Sequence, residues 1–367
     1  MSRLDNRTLI IIDGNTLFNN AKKIMDYVSP ATVIAVIKGN AYGHGLHFTR
    51  RVFRDAGIKI LATYDIVEAS ELRTSGDQGR LLSLTPPVNK HEALCLLEHD
   101  IEVTINDYKC LELIYEASGV TGKKTKIHIE IDTGMGRNGI LPNDFPSYFS
   151  SLNMEYVIFS GIFTHIKNAK SKISTVTQND QFLAVLPSLQ SEILINVSNS
   201  SSLKYGNYLF YNSVRVGLAL YGLSLQQIGQ LNLQPALTWY AQITQIYERK
   251  KNFTVGYGDG HVLKRDSILG IIPVGFVHGY PRNSKGPVLV NGTRCPIMGI
   301  INMQCMVVDL TDVLSCKTGD QAIIFGIDES GNVLGIDEVC NDLTIPNLFT
   351  CCLSESIPRT IKYVRNK

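Results

Sequence analysis

The run AVIKGNAYGHG at Ala35–Gly45 carries a lysine in an unusual place. Val33, Ile34, Ala35 and Val36 read as a buried strand, and Lys38 stands where that strand should end. A glycine-rich turn containing Tyr42 and His44 follows. Burial disfavours a charged ammonium and lowers a lysine pKa, and a neutral amine attacks a carbonyl to form a Schiff base. An arbitrary strand-end lysine more often snorkels to solvent. Lys38, however, has company. Asp132–Arg137 (DTGMGR), Thr164-His165, Asn199-Ser200 and Arg215–Gly217 each follow a short apolar run of their own. Singly such clusters are mostly caps and turns; together they are what strand ends around one site would present.

The elements that must carry them alternate in type. Apolar, β-rich runs at Ile34–Lys38, Ile60–Tyr64, Arg80–Leu84, Glu102–Ile105, Lys126–Ile131, Tyr156–Thr164, Glu192–Val197 and Ser213–Arg215 are separated by longer stretches. Ile66–Thr74 and His91–His99 among those stretches have apolar residues at helical spacing. Strands and helices alternating in this way predict a closed (β/α)8 TIM barrel, in which chemistry sits at the C-terminal ends of the strands. An open doubly wound sheet is the alternative, but no G-x-G-x-x-G follows the first strand. Beyond Pro235 the pattern becomes mostly β, with strands expected at Thr238–Tyr247, Ile268–Gly275, Pro287–Val290, Pro296–Ile301 and Gln321–Ile327. Turn signals such as Asn291-Gly292 punctuate them. The domain reading is residues 14–234 for the barrel and 235–367 for a mostly β C-terminal domain.

Composition narrows the function classes. A length of 367 residues allows about two domains, and a formal charge of +2 without basic blocks gives no case for nucleic acid or a membrane surface. No stretch approaches the roughly 20 apolar residues of a membrane helix, and no targeting segment is apparent at the N-terminus. The eight cysteines are scattered without a C-x-x-C, so no metal site or disulfide framework is expected. A cytoplasmic protein with free thiols follows as the expectation.

Segment by segment, the chain resembles the alanine racemases. The lysine run is the first match, differing at Gly39, where alanine is usual. IDTGMGRNG, GIFTHI, SNSSSL, YNSVRVGLALYG, VGYGDG and GIINMQCMVVDL match further family segments. The resemblance implies pyridoxal 5'-phosphate (PLP) as cofactor, held by Lys38, and residues 1–13 as a strand that joins the C-terminal domain. It further implies a homodimer with shared active sites, a small amino-acid substrate and a role in supplying D-alanine to peptidoglycan.

The resemblance also assigns roles, and most have a physical reason. Ser200, in the turn opened by Asn199, and the amides of Gly217 and Leu218 would cradle the phosphate, since turn amides bind anions well. Tyr42 would be a further donor. Arg215 would face the pyridine nitrogen; an arginine can only donate, so that nitrogen stays unprotonated and the ring is a modest electron sink, sufficient for proton removal and return. Lys38 and Tyr257 would be the two bases, one on each face of the substrate's Cα, Tyr257 coming from the partner subunit. A phenol with pKa about 10 needs neighbours that favour its anion, and His165, beside Arg215, is the candidate. Arg137 and the Met303 amide would bind the substrate carboxylate.

Some family positions differ. A lysine, often carbamylated, that orients the DTGMGR arginine is Glu130 here, an anion built into the sequence. A tyrosine of the C-terminal segment is Glu355, and Gln304, Ile300, Lys170, Phe276 and His278 replace other family residues around the entrance and substrate loop. Catalytic and cofactor positions are kept. The expected activity is interconversion of L- and D-alanine, with a broader, serine or basic-amino-acid racemase as the alternative. A decarboxylase on the same barrel and a non-catalytic PLP-binding protein remain rivals, against which the TGMGR and VGYG loops and the β domain weigh.

Overall fold

The computed structural model describes residues 7–186, 193–223, 228, 231–258, 260–340 and 346–364. The chain divides into two compact units, one spanning Phe18–Leu220 and the other mainly Gln234–Lys367 with the N-terminal segment through Leu17. Strand β1 (Thr8–Asp13) belongs to the latter. Parallel strands β2 (Thr32–Val36), β3 (Ile60–Thr63), β4 (Arg80–Ser83), β5 (Glu102–Ile105), β6 (Thr125–Glu130), β7 (Val157–Phe163), β8 (Leu194–Asn196) and β9 (Ser213–Val216) form one eight-stranded sheet. Its order is β8-β7-β6-β5-β4-β3-β2-β9, so the expected TIM barrel is present and nearly closed. Near-continuous burial along β2–β6 and β9, with β3, β5 and β9 buried throughout, is what helices outside and side chains inside require.

The β8–β9 seam lacks a regular ladder and is closed by individual bonds. Asn212 accepts from Ile195 N at 2.7 Å and donates to Ile193 O at 2.7 Å, so its amide side chain stands in for a strand peptide. Arg215 N donates to Ser198 O at 3.0 Å. Glu192, at the start of the expected Glu192–Val197 run, lies outside the described residues.

In the other unit, β1 lies between strand Leu237–Gln242, antiparallel to it, and strand Arg359–Lys362, parallel to it. These belong to a seven-stranded sheet; a four-stranded and a two-stranded sheet complete the unit. The expected single strand Thr238–Tyr247 is two, Leu237–Gln242 and Gln245–Arg249. Between them Ile243 N bonds Asp320 O and Thr244 N bonds Ile271 O, so the chain changes sheets there. Trp239, Tyr280, Phe325 and Phe349 form a buried aromatic cluster, with centroids 5.6–6.1 Å apart along its contacts.

Candidate active site

Strand β2 ends at Val36, two residues earlier than the sequence pattern suggested, and Lys38 opens a left-handed turn. Gly39, Asn40, Ala41 and Tyr42 all have φ between +52° and +64°. Left-handed backbone costs an L-residue roughly 1–2 kcal/mol, so three consecutive non-glycine residues need compensation. Local bonds supply it: Ala41 N donates to Ile37 O, Gly43 N to Gly39 O, and Leu46 N to the Asn40 side chain at 2.7 Å. His44 is fully buried, its pKa lowered to about 4 by burial, and its Nδ1–H donates to Tyr42 O at 3.0 Å. The turn thus fixes half-buried Lys38 at one end and buried Tyr42 at the other. The Lys38 ammonium nitrogen sits 5.2 Å from the centroid of the Tyr64 ring.

Around the same barrel end, Asn199 accepts from the amides of Ser201 and Ser202 and donates to Ile166 O, shaping the serine turn. Ser200 Oγ then accepts from Gly217 N at 3.1 Å and from Ala219 N at 3.2 Å. A Cβ at Gly217 would collide with the Tyr42 hydroxyl, so only glycine lets these groups converge. Two backbone amides, a serine hydroxyl and a phenol in one small space suit a phosphate. The cradle fits the phosphate end of PLP, within reach of the turn that carries Lys38. Leu218 begins the short 3-10 turn behind it.

Arg215 is buried at the end of β9, with its guanidinium 4.3 Å from the centroid of the Phe163 ring. It donates to Asn196 Oδ1, to Thr164 O at 3.2 Å and to His165 Nδ1 at 3.2 Å. Because guanidinium only donates, His165 Nδ1 must accept and its ring proton sits on Nε2. Burial, then the charges of Arg215, Arg137 and Lys38, lower the His165 pKa to about 3. Burial lowers that of Arg215 to about 10, which leaves it protonated at neutral pH.

Glu130 ends β6, buried, 3.9 Å from the half-exposed Arg137 guanidinium, an ion-pair distance too long for a direct hydrogen bond. Burial raises its pKa, opposed by the charges of Arg215 and then Arg137. Arg137 projects from a loop that folds on Asp132, whose carboxylate accepts from Gly134 N and Gly136 N. Gly139 closes the loop, with φ +119° and no room for a Cβ against Asp132 N. In the C-terminal unit, Tyr257 is 64% exposed between Gly256 and Gly258, both at positive φ, and Met303 is 56% exposed. Gly256 abuts Gly299 and Ile300, so the two loops are neighbours. Asp259 of the VGYGDG run lies outside the described residues. Glu355, Gln304 and Lys170 are exposed.

Residues 12–225 match the sequence profile of the alanine racemase N-terminal domain, and residues 236–361 that of the C-terminal domain. The chain belongs to the alanine racemase family. It is 34% identical over 324 residues to the alanine racemase of Methylacidiphilum infernorum, covering 87% of this chain and 84% of that one. With the alanine racemase of Methanococcus maripaludis the figure is 32% over 362 residues, covering 95% and 96%. The crystal structure of alanine racemase from the D-cycloserine producer Streptomyces lavendulae superposes with a TM-score of 0.89 at 28% identity, covering 99% of both chains.

Several residues at this barrel end escaped the sequence reading. Gln178, buried on helix Lys172–Leu183, donates to His165 O at 3.0 Å and to Thr133 Oγ1 at 3.2 Å, and accepts from Lys167 N. It therefore ties the loop of His165 to the loop of Arg137. Its only signal was a polar side chain on the face that also buries Thr175 and Phe182. Asn196, which accepts from Arg215, had none.

Proposed function

We propose that this protein is a PLP-dependent, two-base alanine racemase that works as a homodimer and supplies D-alanine. The observation that carries the reading is the convergence of Lys38, the Ser200–Gly217–Tyr42 anion cradle and the Arg215–His165 pair at one barrel end, in a chain of this family. Lys38, Tyr42, His165, Asn199, Ser200, Arg215, Gly217 and Leu218 would hold the cofactor or shape its cradle. Bound there, PLP supplies an electron sink that acidifies the Cα–H of an amino acid. Lys38 Nζ takes or returns the proton on one face of Cα, and Tyr257 Oη does so on the other, reaching in from the partner subunit. Arg137, steadied by Glu130, and the Met303 amide bind the substrate carboxylate. His165, held neutral with its proton on Nε2, offers a hydrogen bond that favours the phenolate of Tyr257 without adding a charge.

An exposed apolar patch on the C-terminal unit supports the dimer. Tyr257, Phe276, Val277, Ile300 and Met303 are each at least 40% exposed, and backbone bonds tie the segments of Phe276 and Val277 to Asn302 and Met303. The direct test of the cofactor site is borohydride treatment of the PLP-loaded protein followed by peptide mapping. The label should sit on Lys38 alone, and Lys38→Ala should lose both label and visible absorbance. Label on another lysine would sink the assignment.

A further inference from the structure

Strand β3 passes to helix Ile66–Thr74 through Asp65, whose carboxylate accepts from Glu68 N at 2.8 Å and caps the helix. In a capping box the acid at this third helical position turns back to the amide of the cap residue. The carboxylate of Glu68 instead reaches across to another element. Its Oε1 accepts from Asn40 N at 2.8 Å and its Oε2 from Gly39 N at 3.3 Å. Those amides open the left-handed turn between Lys38 and Tyr42, and the first amides of any helical turn lack partners within it.

We propose that Glu68 is a positioning residue that clasps the start of this turn and so sets the placement of Lys38 relative to Tyr42. The far end of the turn has its own ties, Asn40 Oδ1 to Leu46 N and His44 to Tyr42 O. Glu68 holds the Lys38 end from outside the turn, through both of its carboxylate oxygens. Both amide bonds stabilise its anion, opposing the burial that raises its pKa. The packing of its own helix rests on Ile66, Ala69 and Leu72 instead, so Glu68 can be altered without emptying the core. The inference deepens the reading that Lys38 and Tyr42 hold PLP, and rests on it.

The test compares the parent protein with Glu68→Ala and Glu68→Gln. Amide hydrogen exchange of the peptide spanning Gly39 and Asn40 is followed in PLP-free protein, and PLP affinity is read from visible absorbance. Glu68→Ala should speed exchange at those amides and weaken PLP binding, each about ten-fold, the equivalent of about 1.4 kcal/mol, while the melting temperature moves by only a few degrees. Glu68→Gln keeps one acceptor oxygen, enough for the Asn40 amide, and should recover part of both losses. Unchanged exchange in Glu68→Ala, or faster exchange with unchanged PLP affinity, overturns the positioning role. If the parent itself takes up no PLP at Lys38, the functional reading falls and the positioning role with it.

Discussion

Arg215 governs the electrostatics of the barrel end. It is a buried cation whose fixed donors leave His165 no proton on Nδ1, and Arg137 and Lys38 add further positive charge around that ring. Glu130 is the carboxyl group set among these cations: burial raises its pKa, and the charges of Arg215 and Arg137 draw it back. Glu130→Gln keeps the shape and removes the charge. Charge-assisted contacts typically contribute about 1.5–3 kcal/mol, discounted here for the 3.9 Å separation and the exposure of Arg137. KM for alanine should therefore rise several-fold, up to about ten-fold, with kcat less affected. Added bicarbonate should give no rescue, and unchanged steady-state kinetics would return Glu130 to a purely structural role. For Tyr257→Phe, racemisation should fall by at least about 100-fold, as expected for loss of a general base. In deuterated water, Cα exchange of one enantiomer should outlast racemisation, because Lys38, the other proposed base, would still serve its own face. A variant that racemises at the parent rate would show that Tyr257 is no base.

At the level of elements, the two ends of the barrel divide the work. Strand C-termini carry the left-handed turn, the Asp132 loop and the serine turn, in each of which a side-chain oxygen accepts from backbone amides. Near the strand starts lies a different cluster: Glu102 accepts from Arg80 at 2.5 and 2.8 Å and from His128 Nε2 at 2.8 Å. His128 fits because Gly161 on β7 has no Cβ to collide with its ring, at the point where the β6–β7 register shifts. Burial would raise the Glu102 pKa, yet its partners bring it down to about 2. A depressed carboxyl pKa contributes stability above the unfolded value and loses it as pH falls toward the folded one. Acid unfolding should therefore draw on Glu102 between about pH 4.5 and 2. Glu102→Gln should cost about 1–3 kcal/mol at pH 7 in urea unfolding and flatten that acid limb. An acid limb identical to the parent's would rule the cluster out as its source. Helix Ile66–Thr74 was legible residue for residue from apolar spacing, whereas the role of Glu68 was hidden. An Asp-x-x-Glu pattern reads as a local cap, and nothing in it points to Gly39.

For the whole molecule, the proposed supply of Tyr257 by a second copy would make activity depend on association. Specific activity should fall on dilution in step with the loss of dimer seen by sedimentation. Val277→Asp or Ile300→Asp, each placing a charge in the exposed apolar patch, should weaken association at least about ten-fold. A monomeric variant with parent activity would overturn the shared-site reading.

Periodicity of apolar residues and the punctuation of turns were enough to read the barrel, because burial on both faces of a parallel sheet leaves little freedom in residue type. The motif residues could be read in the same way, since Lys38, DTGMGR, Asn199-Ser200 and Arg215 are local runs. Tertiary structure alone decided what those residues touch. In the left-handed turn that opens at Lys38, the amides of Asn40 and Gly39 are satisfied from Glu68, 28 and 29 residues away. Ala219 joins the anion cradle because Ser200 accepts from it across 19 residues. Gln178 meets Thr133 from 45 residues away, and the break at Ile243–Thr244 arises where two sheets compete for one chain. Sequence spacing records local backbone preference and burial; hydrogen bonds between distant segments are chosen only when the fold brings unsatisfied donors and acceptors together.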